Sequence, residues 1–187
     1  MSEQAEPNRN IVFIDPGSDF GIRDLPAQDE DAAAVILAPA TGAGTIEAAA
    51  AAIAELRAVP KSGLFGAYVD HDLVGVYGLQ RDGMANMIAL LAVREDHRRR
   101  GIGRAMLQDA LRRSGKRPLV AETDDDGLGF YKTCGFKLVG RRVHPSGTVR
   151  YRLGWHAPGL RFKGGSSGAL THQPLSPPVE PGDTKHA

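Results

Sequence analysis

The most constraining feature of this 187-residue sequence is the passage Met87 to Leu107, MIALLAVREDHRRRGIGRAML. Met87 to Val93 is a nearly continuous apolar run and reads as a buried central strand. Beyond the arginines the apolar spacing changes to helical, with Ile102, Ala105, Met106, Ala110 and Leu111 on one face. Two glycines one residue apart, Gly101 and Gly103, stand at the change. Such a chain must place a helix N-terminus directly after a core strand, and the elements around it must cover both.

Those elements are readable from pattern. Ile11-Val12-Phe13-Ile14 is a short β run closed by the turn sequence Asp15-Pro16-Gly17. Asp29 to Leu37 and Thr45 to Ala58 read as helices, the second capped by Thr45 and stopped before Pro60. Leu64 to Val69 and Leu73 to Leu79 form a hairpin across Asp70-His71-Asp72, and Arg81-Asp82-Gly83 turns into the central run. After the glycine turn and its helix come a strand, Leu119 to Thr123, and a short helix, Asp124 to Cys134. Two last strands, Phe136 to Val143 and Thr148 to Trp155, flank Pro145-Ser146-Gly147. The fold class is α+β: a mixed central sheet of about seven strands with about four helices on its faces.

Composition sets the bounds. Hydrophobic residues make up 42% and charged residues 24%, an ordinary globular mix, and the length suits one domain. Residues 1–10 are polar and 156–187 are rich in Pro, Gly and Ser, too poor in apolar groups to offset the entropy of ordering. Both ends read as flexible, leaving one domain over residues 11–155. No apolar run approaches the ~18 residues of a membrane span, and MSEQAEPNRN lacks the basic start and apolar core of a signal peptide. The single cysteine, Cys134, forms no intrachain disulfide. The expected location is the cytoplasm. The six histidines (71, 97, 144, 156, 172 and 186) have no metal-ligand spacing, so no metal is expected.

The formal net charge of +1 hides a local excess. Residues 93–117 carry nine arginines and lysines against Glu95, Asp96 and Asp109. Arg112 to Arg117 read as a solvated helix face. Arg98, Arg99, Arg100 and Arg104 are different, because they surround the glycine turn. A helix N-terminus offers unpaired amides and partial positive charge, and glycines lacking Cβ let an anion approach them. The passage is an anion cradle suited to a pyrophosphate. The triphosphate loop G-x-x-x-x-G-K-S/T is absent, and the dinucleotide pattern G-x-G-x-x-G fails at Met106.

What remains, Arg98-Arg99-Arg100-Gly101-Ile102-Gly103 after Leu91-Ala92-Val93, resembles the coenzyme A pyrophosphate loop Q/R-x-x-G-x-G/A of the GNAT family of N-acyltransferases. A second block, Asp124 to Phe136, DDDGLGFYKTCGF, is similar to that family's later helix N-x-x-A-x-x-F/L-Y-x-x-x-G-F, with Tyr131, Gly135 and Phe136 matching. Asp124 replaces an asparagine, Gly127 an alanine, and Glu95 stands where proline is common.

The resemblance implies a GNAT fold whose sheet splays between Met87 to Val93 and Leu119 to Thr123 to admit acetyl-CoA. It implies that backbone groups of Leu91, Ala92 and Val93 hold the pantetheine arm, with the Val93 amide polarising the thioester. Arg98 through Arg104, with Gly101, Ile102 and Gly103, would bind the pyrophosphate, and Asp124 and Tyr131 would complete the cofactor set. Tyr131 is the implied general acid. Glu122, at a strand end, is the best candidate base, ahead of Glu95 and His97 as exposed loop residues. Asp124, Asp125 and Asp126 crowd a helix start, where a capping box from Thr123 to Asp126 explains them structurally. Cys134 reads as a small buried hydrophobe.

The function expected is transfer of an acetyl group from acetyl-CoA to a primary amine of a small molecule or peptide, by direct attack in a ternary complex. The alternative is a non-catalytic acyl-CoA sensor or a nucleic-acid-docking module. The arginines lack interleaved aromatics and flank one turn, which argues against nucleic acid. A homodimer is compatible with this reading, a membrane partner is not, and no motif names the acceptor.

Overall fold

The computed structural model describes residue 15, residues 17–143 and residues 147–155. The expected strand at Ile11–Ile14, both terminal segments and most of the Pro145-Ser146-Gly147 turn lie outside the described residues.

The chain runs β1 (Phe20–Asp24), α1 (Glu30–Leu37), α2 (Ile46–Ala58), β2 (Gly63–Val69), β3 (Asp72–Asp82), β4 (Ala85–Val93), α3 (Ile102–Ser114), β5 (Leu119–Thr123), α4 (Asp125–Thr133), β6 (Lys137–Val143) and β7 (Val149–Trp155). Among the described residues, these seven strands form one sheet in the order β1-β2-β3-β4-β5-β7-β6. β4 and β5, joined by the α3 crossover, pair in parallel, and the other pairs among the described residues are antiparallel. The mixed sheet with four helices agrees with the expected class. Its β1 is new: Phe20–Asp24 pairs with β2 from Phe20↔Val69 to Asp24↔Phe65.

Alternation sends neighbouring residues of β2 and β3 to opposite faces. Phe65 and Tyr77 join Ile102, Met106 and Leu107 of α3, with Leu119, Tyr131, Phe136 and Leu153, in one core. Leu64 and Val76 join Leu37 of α1 and Ile53 and Leu56 of α2 in the other. The Thr45 hydroxyl accepts from the Ala48 amide at 3.2 Å, capping α2 as expected. Within the first core Asp109 is buried and fully engaged. It accepts from the Tyr77 hydroxyl at 2.5 Å, from Arg112 at 2.8 Å and from Arg113 at 2.7 Å. Arg113 also lies over the Phe65 ring. Asp109, through Tyr77, and Arg113, over Phe65, thus tie α3 to the sheet, while Arg112 bonds within the helix and stays exposed, as expected of a solvated face.

One strand departs from expectation. β4 is not buried throughout: only Ile88 and Ala92 are buried, and Leu90 and Leu91 are partly open. The pairing with β5 explains this. It runs Asn86↔Leu119, Met87↔Val120, Ile88↔Ala121 and stops. A register shift between Gly78 and Leu79 places a bulge in the β3–β4 ladder at the same level. A bulge bends a strand and increases its twist. Past it, Ala89–Val93 and Glu122–Thr123 diverge, and the sheet splits.

Candidate active site

The split opens two adjoining cavities. One, of 590 Å³, is lined by Leu91, Ala92 and Val93 of β4, by Arg98, Arg99, Gly101, Gly103 and Arg104, and by Phe130 and Cys134 of α4. The other, of 410 Å³, is lined by Ile88 to Leu91, by Glu122, Thr123 and Asp124, and by Tyr131 and Arg150. Pro39 and Ala40, Leu91, and Asp126, Gly127 and Phe130 border both, so they form one cleft.

The first cavity is built on the glycine turn. Gly101 caps α3 with φ of 87°, a left-handed conformation in which glycine is unstrained, and no side chain of the described residues caps the helix. The first helical bond is from the Ala105 amide to the Gly101 carbonyl, so the amides of Ile102, Gly103 and Arg104 lack an intrahelical acceptor. Gly103 has a second reason to be glycine: a Cβ there would lie 3.1 Å from the Phe130 ring. Arg98 donates to the Val93 carbonyl at 3.0 Å and Arg104 to the Thr133 carbonyl at 3.3 Å. Among the expected cofactor residues, Arg100 and Ile102 do not line either cavity. Ile102 is a core residue whose backbone alone belongs to the turn.

Strand geometry fixes which β4 groups face the gap. The Arg94 amide donates to the Val74 carbonyl of β3. Amide direction alternates along a strand, so Ala92 also points to β3, whereas the Leu91 and Val93 amides point into the split.

Tyr131 lines the smaller cavity and is only 6% exposed. Its ring packs edge-on against Phe130 and Phe136. The hydroxyl makes no hydrogen bond among the described residues, and burial pushes its pKa well above the ordinary phenol value. Glu122 lines the same cavity, its carboxylate accepting from Arg142 at 2.9 Å and from Arg152 at 3.2 Å. A carboxylate has about four acceptor positions, so two remain.

The acids at the start of α4 differ from expectation in detail. Asp124, not Thr123, is the cap, accepting from the Gly127 amide at 3.3 Å. Asp125 accepts from the Tyr151 hydroxyl at 2.7 Å. Glu95 is exposed, as expected. His97 is not: its side chain is 15% exposed, lines the larger cavity, and lies 3.0 Å from Asp96. The Arg94 and His97 hydrogen bonds hold the Asp96 carboxyl below the usual range. Cys134 is half-buried on the larger cavity, and burial pushes its thiol pKa up.

Residues 60–138 match the family model described as acetyltransferase (GNAT) domain. Over that stretch, less than half of the chain, the sequence is similar to a GNAT acetyltransferase domain. Its fold recurs in solved GNAT structures. A GNAT family acetyltransferase from Elizabethkingia anophelis with acetyl-CoA bound is 20% identical, with 73% of this chain and 97% of that one covered and a TM-score of 0.55. An aminoglycoside 6'-N-acetyltransferase complexed with coenzyme A is 16% identical, with 72% and 96% covered and a TM-score of 0.62. A protein from Desulfovibrio desulfuricans assigned to the GNAT acetyltransferases is 19% identical, with 74% and 98% covered and a TM-score of 0.62. At these identities the likeness is one of fold. No curated protein matches the chain in sequence. Among the described residues, no helix is long and apolar enough to cross a membrane.

Sequence reasoning missed Pro39 to Gly42, which wall the smaller cavity, and the arginines of β6 and β7 around Glu122. The spacing of Arg150 and Arg152, two apart in a strand, was the available signal for a shared face.

Proposed function

We propose that the protein is an N-acetyltransferase that moves an acetyl group from acetyl-CoA to a primary amine by direct attack in a ternary complex. One observation carries this reading: the β4–β5 ladder ends at Ile88↔Ala121, opening a cleft that runs from an arginine-flanked helix N-terminus to a buried tyrosine hydroxyl, the one uncapped and the other unpartnered among the described residues.

Acetyl-CoA supplies the acyl group as an activated thioester. The Ile102, Gly103 and Arg104 amides, with Arg98, Arg99 and Arg104, suit its pyrophosphate. The Val93 amide, facing the split, serves as donor to the developing oxyanion; one such donor contributes about 3–4 kcal/mol in comparable sites. Glu122 takes the proton of the acceptor ammonium, directly or through water, using its free acceptor positions. An alkylammonium of pKa near 10.4 must lose that proton before it can attack, at roughly 4–5 kcal/mol near neutral pH. Tyr131 donates to the departing thiolate. A thiol has a pKa of about 8.5, below that of the buried phenol, so complete proton transfer from Tyr131 runs uphill. Hydrogen-bond donation to the sulfur as the bond breaks is the step its burial suits, and the second proton, shed by the attacking nitrogen as the amide forms, passes through water to the thiolate to leave free coenzyme A thiol.

The test is a thiol-release screen of amines with acetyl-CoA, run on the wild type, Tyr131→Phe and Gly103→Glu. Turnover is expected in the wild type, with kcat falling about 10²–10³-fold in Tyr131→Phe, the loss of one transition-state donor, while coenzyme A binding persists. Gly103→Glu should abolish coenzyme A binding, since it sets a carboxylate in the anion cradle. Coenzyme A binding without turnover of any amine would favour an acyl-CoA sensor instead. Intact binding in Gly103→Glu would refute the pyrophosphate assignment.

A further inference from the structure

Beside the cleft, the splayed half of the sheet carries a third cavity, of 340 Å³, lined by Glu122, Gly140, Arg141, Arg142, Arg150 and Arg152. Its construction follows from register. Directly paired residues of neighbouring strands project on the same face. Glu122 pairs with Arg152, Arg152 with Gly140, and Arg142 with Arg150. Three guanidinium side chains and one carboxylate therefore surround a position with no side chain. A Cβ on Gly140 would meet nothing within 4 Å, so the glycine leaves the cavity floor open.

Structure alone disfavours this arrangement. Like charges directly opposite in a sheet are destabilising, and Arg142 faces Arg150. The available acids compensate only in part. Glu122 bonds one nitrogen each of Arg142 and Arg152, Asp82 bonds Arg152 at 2.8 Å, and Asp124 lies 3.7 Å from Arg150. Each guanidinium carries five N–H donors, so most remain available. Arg142 is 66% exposed, which limits what its pairing with Glu122 adds to the fold.

The cavity is also continuous with the catalytic cleft, because Glu122 and Arg150 line both. A molecule with its amine at Glu122 can extend across Arg150 onto the arginines. We propose that this arginine-lined cavity is the acceptor's specificity subsite, and that the acceptor is an amine carrying an oxyanion group, a carboxylate or a phosphate. The inference rests on the acetyltransferase reading and narrows it to zwitterionic acceptors. Planar guanidiniums recognise both oxyanions by paired N–H bonds, and the two sources separate by experiment.

The experiment compares matched acceptors by thiol release: ω-amino acids of two to six carbons against the alkylamines of equal length, and O-phosphoethanolamine against ethanolamine. Each pair is run on the wild type, Arg142→Gln and Arg150→Gln, with heat denaturation to establish folding. Binding of glutarate and of inorganic phosphate to the coenzyme A-loaded protein is measured by calorimetry alongside. The wild type should prefer the anionic member by about tenfold or more in kcat/KM, the range of one or two hydrogen bonds to a charged group. Each variant should lose most of that preference through KM, with acetyl-CoA affinity unchanged in Arg142→Gln. The pair with the larger preference distinguishes carboxylate from phosphate. Equal or better use of the neutral amines by the wild type would overturn the subsite and leave the acetyltransferase reading standing. Anion binding that Arg142→Gln abolishes, with no amine acetylated, would keep the anion site and refute the acetyltransferase reading. Absence of both turnover and anion binding would overturn both.

Discussion

Thr123 and Gly127 meet at the mouth of the cleft so closely that a Cβ on Gly127 would overlap the Thr123 hydroxyl oxygen and lie 3.3 Å from its Cβ. Glycine within a helix ordinarily costs about 1 kcal/mol relative to alanine, so propensity alone favours Gly127→Ala. The packing reverses the sign: overfilling a tight site typically costs about 1–3 kcal/mol. Gly127→Ala is expected to lower the unfolding free energy, and Thr123→Ala combined with it to recover the loss. Urea denaturation of the three variants checks this; a stabilised single variant would contradict it.

Glu122→Gln keeps the shape and one acceptor oxygen beside Arg142 and Arg152 but cannot take a proton. Its kcat/KM should fall by about 10²-fold or more near neutral pH. As pH rises toward the acceptor's own pKa, near 10.4 for an alkylamine, more amine arrives unprotonated and the deficit should shrink. A pH-rate profile of both proteins decides it, since a purely structural defect would be equal at every pH.

Cys134 lies on the larger cavity with its thiol pKa raised by burial. The thiolate is the reactive form, so alkylation by iodoacetamide near pH 7.5 should be several-fold slower than for a free thiol. Saturating coenzyme A should slow it further by covering the cavity. Mass spectrometry of the time course reads both rates, and an unchanged rate with coenzyme A would move the cofactor away from α4.

Three tyrosines predict loss of stability in base. Burial, aided by donation to Asp29, raises the Tyr68 phenol to about 12. Burial and donation to Asp109 raise Tyr77, and burial raises Tyr131. Groups raised in the folded state contribute stability that is complete below their unfolded pKa, about 10, and disappears as pH climbs through the folded values. Unfolding free energy should therefore decline from about pH 10 toward pH 12. Tyr77→Phe should flatten that decline while lowering stability at pH 7 by about 1–3 kcal/mol, because Asp109 loses a buried donor. Denaturant titrations at pH 8, 10 and 11 suffice.

Much of the fold was legible because it is written in local periods. The β4–turn–α3 unit, the Thr45 cap and the β2–β3 hairpin each depend on residues a few positions apart. Phe20–Asp24 was invisible for the opposite reason: Phe-Gly-Ile-Arg-Asp has only two apolar residues, and its strand character comes from pairing with β2, more than 40 residues away. The cap at α4 was misplaced by one residue, because Thr123 and Asp124 are both good caps and backbone direction chose between them.

By itself, the sequence determined that a core strand delivers a glycine-bearing, arginine-flanked helix start and that a tyrosine follows on a later helix. Those are matters of spacing and steric freedom along one stretch of chain. Only the tertiary structure decided that the sheet parts after Ile88↔Ala121, that Tyr131 lines the opening without a partner among the described residues, and that Glu122, Arg142, Arg150 and Arg152 share a face. Register across strands distant in sequence sets these, and it is fixed by the packing of the whole sheet against its helices, which no local pattern contains.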